Sequence, residues 1–153
     1  MHEVLEDILI YAPLKGIITN KSVRALEKLT EVVDGRRRIV SRPPLVIPLD
    51  GHLASDDGQR VTEFFAAYRA SLAPHRAAVL DRYHLVDVAH KVVGVGSVGT
   101  RCLIVLLESD TGSPLFLQFK QAVQSVLEPY LGASAFEQAG QRVVEVQQLI
   151  QAT

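Results

Sequence analysis

Three glycines at G-x-G-x-x-G spacing are the residues of this sequence whose pattern most clearly indicates chemistry. Gly94, Gly96 and Gly99 lie in the stretch K-V-V-G-V-G-S-V-G-T-R, and Lys120 closes the later segment L-F-L-Q-F-K. Glycines allow backbone N–H groups to approach a phosphate closely, and a lysine can meet the same phosphates. The combination predicts a nucleotide-phosphate site.

The position of the lysine follows from the strand predicted to carry it. Residues 115–120 alternate, so that one set of side chains enters the core and the other faces a cleft under the glycine loop. The core set is Leu115, Leu117 and Phe119, and the cleft set is Phe116, Gln118 and Lys120. We therefore expect Lys120 to lie nearest to the phosphates.

A dinucleotide-binding loop is a competing interpretation of the same glycines. It requires the third glycine to open a helix, with an acidic residue about 20 positions later to bind a ribose. Gly99 is instead followed by T-R-C-L-I-V-L-L-E, the turn S-D-T-G-S-P and L-F-L-Q-F-K, which is typical of strand, turn and strand. No acid stands where the ribose ligand is needed. A kinase-type loop, which lies between two antiparallel strands, fits this pattern better.

A lysine in a kinase-type site is held by a carboxylate, usually from a neighbouring helix. The last helix, predicted from Ser134 to the chain end, begins with the capping box Ser134-x-x-Glu137 and also contains Glu145. At about 100° per residue, Glu137 falls opposite the apolar stripe, whereas Glu145 lies at its border. The sequence therefore predicts an ion pair between Lys120 and Glu145.

Composition narrows the class of protein. The chain has 153 residues, of which 48% are hydrophobic and 22% charged, as in a globular domain with its own core. Sixteen basic residues against seventeen acidic ones produce no global field that would attract nucleic acid. One cysteine, Cys102, excludes an internal disulfide, and no apolar run approaches the roughly 20 residues of a membrane helix. We expect a cytoplasmic protein without nucleic-acid or membrane partners.

The N-terminal part of the chain is predicted to be helical and to contain one hairpin. Apolar periodicity indicates a helix over 2–12 and a second one capped by Asn20 or Ser22. Asp34-Gly35 suits the two positive φ angles of a type I′ hairpin turn. The predicted elements that follow are a short or edge strand over 45–48, a helix around 61–72 and a helical piece from Pro74.

The remainder of the chain is predicted to hold the glycine-loop sheet. Residues 85–120 are predicted to form an antiparallel sheet, followed by a helix around 123–131 and by the last helix. The predicted fold is α+β, a small antiparallel sheet with a glycine loop between two strands, flanked by helices as in a kinase N-lobe. We expect a single domain, 1–153, with a helical region and hairpin in 1–84 and the glycine-loop sheet and last helix in 85–153.

Several longer segments resemble one uncharacterised bacterial family, domain of unknown function 2252. They are L-V-D-V-A-H-K-V-V-G-V-G-S-V-G-T-R-C, P-L-F-L-Q-F-K, S-V-L-E-P-Y-L-G and G-Q-R-V-V-E, with L-E-K-L-T-E-V-V-D-G-R-R-R-I-V-S-R-P-P-L-V-I-P upstream. The resemblance covers about residues 24 to 151. It implies membership of the protein-kinase-like superfamily, near the aminoglycoside phosphotransferases.

By matching position, the resemblance implies a set of nucleotide-site residues: Gly94, Gly96, Ser97, Gly99, Lys120 and Glu145. It also implies ATP with magnesium as ligand. Longer members of the family have motifs similar to G-D-A-H-x-x-N and D-x-N-D-F-D, which this sequence lacks. We therefore expect a fragment that transfers no phosphoryl group by itself, with a second chain supplying the catalytic lobe.

Two departures from the kinase pattern make the expected base pocket more polar. Arg101 stands where kinase loops usually place a valine, and Gln118 replaces the usual small residue. The alternative prediction is a non-enzymatic interaction module that completes a partner chain, in which the glycine loop is only a hairpin turn and the exposed sheet or the 2–12 helix docks the partner. We interpret Asp87 and His90 as ordinary strand residues, Cys102 as a buried and inert thiol, and the arginines at 36–38 and 42 as a solvated hairpin end.

Overall fold

Segments rich in β-branched and aliphatic residues pair as antiparallel strands in the computed structural model, which describes residues 8–11, 28–49, 56–92, 94 and 99–150. The strands are β1 (Ile8–Tyr11), β2 (Thr30–Val33), β3 (Arg36–Ile39), β4 (Val46–Pro48), β5 (Tyr83–Lys91), β6 (Cys102–Ser109) and β7 (Pro114–Gln121). Five of them form one sheet in the order β1-β7-β6-β5-β4, and β2 pairs with β3 in a separate hairpin. Every neighbouring pair is antiparallel.

The hairpin and the short strand after it agree with the elements predicted from the sequence. Asp34 and Gly35 connect β2 to β3 with φ angles of 51° and 73°, as a type I′ turn requires. Strand β4 pairs on one side with β5 and forms an edge of the main sheet, which suits a segment bounded by prolines. Both predictions are confirmed.

Four helices are described: α1 (Asp56–Ser71), α2 (Pro74–Leu80), α3 (Glu128–Leu131) and α4 (Ala139–Ile150). Pro74 occupies the first turn of α2, where its missing N–H costs no hydrogen bond. Together with the sheet, these helices confirm the α+β class. No helix within the described ranges has the length and apolar character needed to cross a membrane.

The main sheet is covered on both faces, because its central strands are apolar on both sides. One face packs against α1 and α2 through Phe65 and Leu80, which cluster with Val105, Leu117 and Phe119. The other face packs against the hairpin. Its cluster consists of Ile39, Val46, Ala89, Ile104 and Leu106. Strand β6, which lies between β5 and β7, therefore contributes side chains to both clusters.

The helix predicted over residues 2–12 is wrong for the part that the structure describes. Residues 8–11 form β1, which pairs with β7 in the register Leu9↔Lys120. The run Ile-Leu-Ile-Tyr is suited to a strand, and pairing satisfies backbone groups that β7 would otherwise present at an open edge. The remainder of that prediction, and most of the helix predicted after Asn20, lie outside the described residues.

The region between the sheet and α4 contains less helix than predicted. Residues 123–127 are not helical, and α4 begins at Ala139 instead of Ser134. The predicted capping box does not form, because the Ser134 hydroxyl accepts the N–H of Phe136 at 3.1 Å and holds a turn ahead of the helix. The helix does contact the sheet as predicted, at strand β1.

An ion pair links α3 to α4. Arg142 Nη1 lies 3.1 Å from Glu128 Oε1, and Arg142 Nη2 donates to the carbonyl of Val123 at 2.8 Å. The Glu128 carboxylate also accepts hydrogen bonds from the Gln124 amide and from the Ser125 N–H. These contacts, with the Gln124 hydrogen bond the largest cause, lower the pKa of Glu128 from its ordinary value of 4.5.

This lowered pKa predicts a loss of stability in acid. A carboxyl whose pKa is lower in the folded state stabilises the fold above its unfolded pKa, and this contribution is lost as pH falls through the folded pKa. We therefore expect thermal melts to show a lower Tm as the pH falls below 4.5, the ordinary pKa of this carboxyl group. Part of that shift should be absent in Glu128→Gln. An equal acid response in the two proteins would contradict this role of Glu128.

Candidate functional site

The glycine loop connects two paired antiparallel strands. It lies in the connection of residues 92–101 between β5 and β6, whose register runs from Tyr83↔Ser109 to His90↔Leu103. Gly94 and Gly99 have φ angles of 57° and 84°, a region that residues with a Cβ rarely adopt. The prediction of a loop between two paired strands is confirmed. Gly96 and Ser97 lie outside the described residues.

The arrangement required by a dinucleotide-binding loop is not found at Gly99. That glycine leads within three residues to Cys102, the first residue of β6, and not to a helix. The neighbouring strands are antiparallel, whereas the dinucleotide fold uses a parallel sheet.

The end of the loop is fixed to the end of β7. The Arg101 N–H donates to Gln121 Oε1 at 3.1 Å, and the Gln121 N–H donates to the Arg101 carbonyl at 2.8 Å. These two hydrogen bonds continue the pairing of β6 with β7 beyond Cys102↔Lys120. The C-terminal side of the glycine loop is therefore held next to the strand that carries Lys120.

The predicted alternation along β7 is confirmed. Leu117 and Phe119 are buried, at 1% and 2% exposure, in the cluster beneath α1. Phe116 packs against the cluster on the hairpin face. Gln118 and Lys120 share that second face with Phe116, because successive side chains of a strand point to opposite sides.

Four side chains of this second face lie at the loop end of the sheet, and we call them the loop-end cluster: Lys91, Cys102, Gln118 and Lys120. Gln118 Nε2 donates to Cys102 Sγ at 3.2 Å. Lys120 is the direct cross-strand partner of Cys102. Lys91, on β5, is the cross-strand partner of Val46 on β4, and Val46 is a member of the apolar cluster on this face. Each of the two lysine side chains is partly buried.

The Cys102 thiol lies inside this cluster and stays protonated at neutral pH. Burial raises the pKa of Cys102, while the hydrogen bond from Gln118 and the charges of Lys120 and Lys91 act in the opposite direction. The predicted burial of this cysteine is confirmed, at 5% exposure. Because the thiolate is the reactive form, this environment favours a structural role for the thiol.

The predicted ion pair between Lys120 and Glu145 does not form. Glu145 lies on the exposed side of α4, and the ion pairs between described residues do not include one between these two. Glu137 is also exposed, as predicted. Helix α4 contacts the sheet at β1, a strand that the sequence pattern did not reveal.

The described residues do not include a cluster of three metal-binding side chains. Magnesium is bound through carboxylates or other oxygen ligands in a near-octahedral set. Within the described ranges, no three His, Cys, Asp or Glu side chains come together in a way that could hold a metal ion. Any magnesium at the loop would need its ligands from phosphates, water or other residues.

Two residues to which the sequence assigned no special role gain importance in the structure. Lys91 joins the loop-end cluster because of its position on β5, and no sequence motif marked it. Asp87, interpreted as an ordinary strand residue, is buried at 2% exposure. Its Oδ2 accepts the Ile39 N–H at 2.8 Å, and its Oδ1 accepts the Val88 N–H at 2.9 Å. It therefore joins the hairpin to the main sheet.

The arginines of the hairpin are partly engaged with the main sheet. Arg37 Nε lies 3.2 Å from Glu108 Oε2 on β6. Arg36 and Arg42 are exposed, in agreement with a solvated hairpin end.

The fold and the site together define a small α+β domain whose antiparallel sheet carries a glycine loop beside two lysines. The chain belongs to the family DUF2252, described as an uncharacterized protein conserved in bacteria, whose model matches residues 11–153. The predicted family is confirmed, and the wider relation to kinases stays a prediction. No curated protein and no solved structure matches the chain.

Proposed function

We propose that this chain is a kinase-like lobe that binds the phosphates of a nucleotide, with ATP as the expected ligand. The observation that carries the proposal is the meeting of a glycine loop and a lysine pair at one end of an antiparallel sheet. The C-terminal end of β5, the N-terminal end of β6 and the C-terminal end of β7 all lie at this end. Backbone N–H groups and ammonium groups are the donors that recognise phosphate oxygens.

The proposed site recognises phosphate more strongly than the base. Arg101 is exposed next to the loop, and the Gln118 amide is engaged with Cys102. Neither side chain offers the apolar surface on which an adenine ring usually packs. Affinity should therefore come mainly from the phosphates, and a different base should change it little.

Phosphoryl transfer is proposed to need groups in addition to this lobe. Transfer in kinases uses a catalytic aspartate and metal ligands in addition to the glycine loop and lysine. Within the described part of the chain, no three His, Cys, Asp or Glu side chains come together as metal ligands. We propose that such groups come from outside the described residues, for example from a second chain, and that this lobe contributes phosphate binding.

Lys120→Gln tests the proposed function. Calorimetric titration with ATP should show binding to the wild-type chain and about a tenfold weaker affinity in Lys120→Gln, since one charge-assisted contact to phosphate is lost. The matched control is Arg82→Gln, which removes a positive charge just before β5, at the end of that strand opposite Lys91. Equal ATP affinity in wild type and Lys120→Gln, or no binding by the wild type, would contradict the proposal.

A second candidate function is an interaction module that completes a partner chain. The segment around α3 presents apolar side chains to solvent. Their exposed fractions are 80% for Val126, 55% for Leu127, 83% for Tyr130 and 78% for Leu131. Exposed apolar groups of this kind often mark protein contacts. This candidate predicts no ATP binding in the titration above.

A further inference from the structure

The C-terminal part of the chain presents apolar side chains to solvent on two elements, not only around α3. Helix α4 adds Val146, Leu149 and Ile150, with exposed fractions of 43%, 77% and 77%. Water contacts each of these side chains, and burying them against another apolar surface is favourable. We call them, together with the exposed residues around α3, the C-terminal apolar surface; the α3 residues are Val126, Leu127, Tyr130 and Leu131.

Arg142 joins the two parts of this surface. Its side chain donates to the Val123 carbonyl at 2.8 Å and lies 3.1 Å from Glu128 Oε1, so the face of α4 that carries it is turned toward the α3 segment. The three apolar residues of α4 follow Arg142 by four, seven and eight positions, which places them on the same face of the helix. The two groups of apolar side chains therefore lie on neighbouring parts of one surface.

The size of the C-terminal apolar surface matches what a stable dimer needs. Taken with their exposed fractions, its side chains present on the order of 800–900 Å² to solvent. The largest apolar patch of a typical monomer is about 300–600 Å², whereas each partner in a standard protein interface buries about 800 Å². The surface is therefore larger than a monomer usually leaves open, and large enough for one complete interface.

The charges of the two segments favour a partner with the same surface. Glu128 and Arg142 form an ion pair with each other, and Glu145 is the remaining charged residue of 123–131 and α4. A surface with little net charge does not select a partner through charge complementarity, and it does not repel its own copy. In a two-fold dimer the same patch meets itself, so an apolar patch supplies its own complement.

We infer that the C-terminal apolar surface is the interface of a two-fold homodimer, in which α3 and α4 of one chain pack against α3 and α4 of a second copy. The inference does not depend on the proposed function, because it uses residues of α3 and α4 and not the loop end of the sheet. It assigns the exposed apolar residues of the second candidate function to one partner, a second copy of this chain.

Sedimentation equilibrium of the full chain over about 1–100 µM tests the inference, since dimers with a micromolar Kd assemble in this range. The mass of the wild-type chain should rise toward twice its 16.8 kDa. Tyr130→Lys and Leu149→Lys change one residue on each helix. Each should weaken dimerisation by at least about tenfold, because it places a charge in an apolar contact.

Val32→Lys is the matched control, because Val32 is also apolar and 64% exposed but lies on β2. It should leave the dimer Kd within about twofold of wild type. Thermal melts give a second measurement, since the Tm of a dimer rises with protein concentration. This rise should be lost in Tyr130→Lys and Leu149→Lys, which stay folded because both side chains are exposed.

The outcomes decide between a second copy and other partners. A wild-type chain that stays monomeric at about 100 µM would overturn the inference and assign the surface to a different protein. A dimer that both lysine variants leave intact, or that Val32→Lys weakens equally, would overturn it as well. Loss of the dimer in Tyr130→Lys and Leu149→Lys, with an intact dimer in Val32→Lys, supports it whatever the ATP titration shows.

Discussion

Replacing Phe119 by alanine is expected to destabilise the protein by about 3–5 kcal/mol, the usual cost of truncating a buried aromatic side chain. Phe119 is 2% exposed and joins β7 to helix α1. Its ring meets Phe64 edge-on at 5.3 Å between centroids and Tyr68 at 6.2 Å. The substitution removes both aromatic contacts and leaves a cavity at position 119, next to Lys120.

Urea unfolding of three variants would measure this effect. Phe119→Leu fills most of the volume and should cost less than about 1.5 kcal/mol. Val126→Ala, at a side chain that is 80% exposed, should stay within about 0.5 kcal/mol of wild type. A loss below about 1 kcal/mol for Phe119→Ala would show that α1 does not pack on β7 as described.

Asp87→Ala is expected to cost about 2–3 kcal/mol, because it removes a charged acceptor from two backbone N–H groups in the interior. The Ile39 N–H, on a residue that is 2% exposed, would lose the carboxylate oxygen that it meets at 2.8 Å. The Val88 N–H would lose its contact at 2.9 Å. The hairpin would then be held to the sheet mainly by apolar packing and by the ion pair of Arg37 with Glu108.

Asp87→Asn refines the test of this hydrogen-bonding role. The amide keeps one acceptor oxygen but turns an NH₂ group toward the second N–H, so an intermediate loss of about 1–2 kcal/mol is expected. Asp110→Ala, at an exposed residue of the β6–β7 turn, serves as the matched control and should change stability by less than about 0.5 kcal/mol. If Asp87→Ala resembles Asp110→Ala in urea, Asp87 does not hold the hairpin.

Sequence patterns predicted the elements whose local signals agree with their packing. The alternation of Leu117 and Phe119 with Gln118 and Lys120 identified the buried face of β7, because a strand exposes its two faces with period two. Asp34-Gly35 identified the hairpin, because a type I′ turn needs two positive φ angles. The strand-like residues on both sides of the glycines likewise predicted that the glycine loop lies between paired strands.

Elements set by long-range pairing could not be predicted in this way. Residues 8–11 match a helical stripe as well as a strand, and only the open edge of β7 decides between the two. That missed strand is also the one that helix α4 contacts. Lys91 and Asp87 gained their roles from register and burial, which depend on the partner strands.

An NMR titration tests most directly the proposal that the loop end of the sheet binds phosphate. ATP would be added to the ¹⁵N-labelled chain, and the backbone amide shifts would be followed residue by residue. We expect the largest shifts at Gly94, Gly99 and Thr100 and at Lys91 and Lys120, with weaker binding in Lys120→Gln. Spectra that ATP leaves unchanged, or shifts confined to residues 126–131, would contradict it.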